Sequence, residues 1–62
     1  MNEEKIQKIA EGHNILLNRR DLYTEKSDKD VLTELAERCV RMLDMAGVHY
    51  DMDESGFIHL NK

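Results

Sequence analysis

The segment Asp51-Met52-Asp53-Glu54-Ser55-Gly56-Phe57-Ile58 holds the densest candidate chemistry in the chain. Oxygen-bearing side chains recur at Asp51, Asp53 and Ser55, and a glycine follows. Hard cations such as calcium take oxygen ligands from carboxylates and hydroxyls spaced along a sharply turned loop. His49 and His59 flank the segment, and with Asp51 they offer imidazole and carboxylate, a donor set suited to transition metals. A second group is basic. Arg19, Arg20, Lys26 and Lys29, with Tyr23 among them, have the chemistry to meet phosphates or an acidic partner. Cys39 is the single thiol.

The acidic segment resembles the first eight positions of an EF-hand calcium loop, with Asp51, Asp53, Ser55, Gly56 and Ile58 at matching positions. That resemblance implies a calcium ligand set, and the chain departs from it where it matters. Position twelve should be a bidentate glutamate and is Lys62, no residues remain for an exiting helix, and Gly47 ends the entering helix too early. An acidic hairpin turn needs the same glycine for backbone reasons alone, and we expect that turn. The His49, Asp51 and His59 group lacks a visible fourth ligand, so no metal and no cofactor is expected. Cys39 falls at an apolar helix position without the exposure and cationic neighbours of a reactive thiol, and is expected to be structural. His13 is expected to be a half-buried helix residue. Nothing supplies a nucleophile with a base and an orienting acid, so an enzyme is not expected.

The elements that position these residues follow from hydrophobic period. Ile6, Ile9, Ala10, Leu16 and Leu17, with His13 in phase, form a helical stripe over about 2–18. Asn2 is placed to cap it, Glu3 and Glu4 suit its positive end, and Glu4 and Lys8 are an i,i+4 pair. Gly12 weakens this helix. The stripe keeps its phase across Gly12, which favours one helix; the second reading stops there and makes Ile15-Leu16-Leu17 a short strand. Arg19 to Lys26 reads as a connector whose Leu22 and Tyr23 fold back onto the core. A stronger stripe follows over about 28–46, with Ser27 and Asp30 at capping-box spacing and Glu34–Arg38 and Glu37–Arg41 as surface pairs. Gly47 stands where a helix-ending glycine belongs. From Val48 the pattern alternates. A three-residue loop, Glu54 to Gly56, pairs Met52 with Ile58 and Tyr50 with Leu60, and sets Asp51 across from His59. Gly56 takes the left-handed position that this loop requires. Strands at about 48–53 and 57–61 result. The fold class is therefore α+β, mainly α, as one small domain over 1–62.

A chain of 62 residues buries only about 60% of its unfolded surface. Domains this small usually need a disulfide, a metal or a partner subunit. One cysteine forms no internal disulfide, which leaves association. Val31, Leu35, Cys39, Val40, Met42 and Met45 are the apolar positions that we expect at a homodimer interface through the second helix. The N-terminal segment Met1–Lys8 is polar, with no signal-peptide core, and no apolar run suits a bilayer. With one unpaired cysteine this points to the cytoplasm.

The function expected is therefore a small, non-enzymatic, protein-binding regulator. Its contacts are the acidic hairpin (Asp51, Asp53, Glu54, Phe57) and the connector (Arg19, Arg20, Tyr23). Size and charge associate it with the small modulators of bacteria and phages, without a residue-level warrant. The alternative is nucleic-acid binding through Arg19, Arg20, Lys26 and Lys29. A helix followed by a hairpin resembles a winged helix in outline. However, Glu34, Glu37 and Asp44 would face the phosphates, and the net charge of −4 opposes it. A metal-responsive module using the hairpin acids and histidines is the third class.

Overall fold

The computed structural model describes residues 2–60 and shows two helices followed by a two-stranded antiparallel hairpin. Helix α1 spans Glu3–Leu22 and helix α2 spans Lys26–Met45. Strands β1 (Tyr50–Met52) and β2 (Ile58–Leu60) complete the fold. The three-residue connector Tyr23–Glu25 forces α1 and α2 to lie antiparallel, as short helix–helix links do.

Asn2 caps α1, its Oδ1 accepting the Lys5 N–H at 2.9 Å. Glu4 and Lys8 close to 3.9 Å as expected. The helix runs through Gly12 and continues past 18, so most of the expected connector is helical. Arginine and leucine favour helix, and the basic pair Arg19 and Arg20 lies in the last turn, where the macrodipole favours cations. This extension carries Leu22 out into solvent, 81% exposed, and leaves Tyr23 exposed beside it. Neither folds back onto the core. The expected capping box also does not form. The Lys29 N–H bonds to the Glu25 carbonyl at 3.2 Å, so α2 starts earlier and Ser27 falls inside its first turn. Glu25 is the N-cap, without a side-chain bond. Glu34–Arg38 and Glu37–Arg41 do not close to ion-pair distance.

The end of α2 is a Schellman motif. Gly47, at φ +70°, donates to the Asp44 carbonyl, and the Val48 N–H donates to the Leu43 carbonyl, both at 3.1 Å. Val48 and Leu43 also pack in the same core. Using Val48 in the cap shortens β1 at its start, and the turn takes Asp53 from its end. The register is the expected one: Tyr50 opposite Leu60, Asp51 opposite His59, Met52 opposite Ile58. Gly56 sits at φ +93°. The expected end of the second strand at 61, and Lys62, lie outside the described residues.

The core is small: Ala10, Leu43 and Ile58, ringed by Ile6, Ile9, Val40, Val48, Tyr50 and Leu60. Leu17 and Ala36 are buried beside it. β2 lies along α1, whereas neither strand approaches the backbone of α2.

Candidate functional site

Asn14 holds the hairpin to the helices. Its Nδ2 donates to the Ile58 carbonyl at 3.0 Å, and its Oδ1 accepts the Ile58 N–H at 2.8 Å. One side-chain amide thus copies a strand neighbour. His13, 3% exposed, places Nδ1 at 3.1 Å from the same Oδ1. An amide oxygen only accepts, so Nδ1 carries the hydrogen. His13 is fully rather than half buried, and it supports the clamp from beneath.

The acidic turn is built around Asp53. Its Oδ1 accepts the N–H groups of Ser55 (3.0 Å) and Phe57 (2.9 Å), and its Oδ2 meets His59 Nε2 at 3.0 Å. The hydrogen bond from His59, followed by those from the backbone, holds the Asp53 carboxyl below the usual carboxylate range. The oxygens that the calcium resemblance would use thus fasten the turn itself. His59 lies across from Asp51 in register but bonds diagonally to Asp53. Among the described residues no three histidine, cysteine or acidic side chains gather as a ligand group. Asp51, Asp53 and Glu54 are exposed, while Phe57, expected among the contact residues, is half-buried and offers less apolar surface.

The basic residues come to one end of the helical hairpin, Arg19 and Arg20 in the last turn of α1, Lys26 and Lys29 in the first of α2. Four acids, Asp21, Glu25, Asp28 and Asp30, share that stretch and offset the four cations. Arg20 approaches Asp21 at 3.9 Å. The end of the molecule is charged but balanced, a weak lure for phosphates.

Of the six residues expected at a dimer interface, Val31, Leu35, Met42 and Met45 share one side of α2 and are 56%, 38%, 43% and 82% exposed. Cys39 borders them, half-buried, and burial raises its thiol pKa, which keeps it protonated. Val40 turns to the core and is not part of the exposed stripe.

A groove of about 480 Å³ opens where α1, α2 and the hairpin turn meet. Leu17, Ala36 and Val40 line its depth. Arg20, Glu37, Arg41 and Asp44 stand at its rim, and Met52 and Gly56 form the third wall. The Tyr50 hydroxyl donates to Asp44 at 2.8 Å and ties β1 to α2 at one end. That bond raises the pKa of Tyr50. Neither the groove nor the Asn14 clamp was anticipated from sequence. A groove needs three elements in register, and a lone asparagine on a helix carries no signal of its distant partner. Comparison with protein families, curated proteins and solved structures finds no match to this chain.

Proposed function

We propose that this protein is a small non-enzymatic regulator that acts by binding another protein, and that it does so as a homodimer in the cytoplasm, in the manner of bacterial and phage modulators. The observation that carries this reading is the uncovered apolar stripe of Val31, Leu35, Met42 and Met45 along α2. Exposed single apolar residues are ordinary; four of them along one side of a helix already packed on its other side, with Arg38 among them, call for a partner. No helix among the described residues is long and apolar enough to cross a membrane. The small core, with only Leu43 wholly buried among large side chains, adds weight, since a chain of this length gains stability by association. The exposed acidic hairpin residues Asp51 and Glu54 remain free to meet a second protein, with the Asp53 carboxylate, already bonded within the turn, beside them. The balance of charge at the Arg19–Lys29 end disfavours the nucleic-acid reading.

Sedimentation velocity at micromolar concentration tests the dimer. The parent chain should sediment at twice its 7.3 kDa mass. Leu35→Glu, at an exposed position, should sediment as a folded monomer, because it places a charge in the stripe. A monomeric parent, or a dimer indifferent to Leu35→Glu, would remove this interface.

A further inference from the structure

The ladder leaves the β1 edge of the sheet open, while β2 lies along α1. The Asp53 N–H bonds to the Phe57 carbonyl at 3.0 Å, so these two form a hydrogen-bonded pair. Antiparallel ladders alternate, which makes Met52–Ile58 and Tyr50–Leu60 pairs whose backbone groups point outward. On the β2 side, Asn14 takes both outward groups of Ile58. On the β1 side, the outward N–H and C=O groups of Tyr50 and Met52 meet no partner among the described residues. Neither strand approaches the backbone of α2, and Met52 lines the groove that opens between them. Met52 itself is 47% exposed there.

We propose that the Tyr50–Met52 edge takes up an extended segment of a partner protein as a third strand, and that this segment alternates apolar and basic side chains. An open edge is a template for strand addition, with main-chain bonds for affinity and alternate pockets for specificity. Met52 lines the groove with Leu17, Ala36 and Val40, so the face of the added strand on the Met52 side takes apolar side chains. The other face lies beside Asp51 and Asp53, where lysine or arginine makes favourable cross-strand pairs. A second copy of this chain fits poorly, because antiparallel self-pairing centred on β1 sets Asp51 against Asp51, and like charges directly opposite are destabilising. The inference rests on the protein-binding reading and is independent of the α2 dimer.

The test is titration of the isotope-labelled full chain with a capped octapeptide of alternating valine and lysine, followed by amide resonances and hydrogen exchange. Bound peptide should slow exchange of the Tyr50 and Met52 N–H groups by about tenfold or more. The same peptide with alternate backbone nitrogens methylated should not bind. An alternating valine–glutamate peptide should bind several-fold more weakly, as the charge set beside Asp51 and Asp53 reverses. Shifts confined to the Val31–Met45 stripe would overturn the edge site while leaving the protein-binding reading in place. Silence at about 1 mM peptide, an affinity worth only about 4 kcal/mol, would overturn the site outright. Equal binding of the acidic peptide would overturn the basic preference. A monomeric parent in sedimentation would remove the dimer alone.

Discussion

Replacing Asn14 with alanine should destabilise the protein by about 2–5 kcal/mol. The change leaves the N–H and C=O of Ile58 without partners at a residue only 3% exposed, and removes the acceptor of buried His13. A buried group left unsatisfied costs about 1–3 kcal/mol. The two Ile58 groups alone give about 2–6, and the better helix propensity of alanine returns about 0.5. For 62 residues total stability is about 3–9 kcal/mol, so Asn14→Ala stands near the limit of folding. Denaturant unfolding read by circular dichroism measures the loss. Amide exchange at Ile58 locates it: that amide should become the fastest in the core of the variant. Asn18→Ala, at an exposed position on the same helix, serves as the comparison and should lie within about 0.5 kcal/mol of the parent. An Asn14→Ala variant equally close to the parent would refute the clamp, and with it the account of how the hairpin is held to α1.

Gly12→Ala should stabilise the protein by about 1 kcal/mol, since a Cβ at Gly12 meets nothing within 4 Å and glycine is a poor helix former. The melting temperature should rise by about 4–8 °C; a fall would show that another surface covers that position. Acidification should weaken the hairpin through Asp53. Its pKa is depressed in the folded state, so the stability it contributes is present above the ordinary carboxylate value and is lost as pH falls through the depressed one. Melting temperatures recorded below about pH 4 should therefore fall more steeply for the parent than for Asp53→Asn. Identical slopes would remove Asp53 from the acid response.

Much of the fold was legible because its signals are local. Alternation from Val48 and the glycine at 56 set the hairpin register, since a one-residue slip would turn apolar side chains outward. Gly47 marked the end of α2 for the same conformational reason. The start of α2 was misplaced because Ser27 and Asp30 have cap spacing, yet the helix gains more backbone bonds by starting at Lys26. The end of α1 was misplaced because charged residues that look like a connector, Arg19 and Arg20, are good helix formers. The Asn14 clamp was illegible: its partner lies 44 residues away, and one polar residue among many on a helix gives no hint of such a pairing. The α2 stripe was visible as composition, but only the packed structure separates Val40, which faces inward, from Leu35 and Met42, which do not.

Covering β2 with the Asn14 amide and with α1 makes the two edges of the sheet unequal. A two-stranded sheet open on both sides can add strands at either and so polymerise without end. Here Asn14 and α1 hold the β2 side, so strands could be added only next to β1. Two such chains joined through α2 would present two such edges, one from each copy. Asn14 thereby selects the side of the sheet on which assembly could take place, as well as attaching the hairpin.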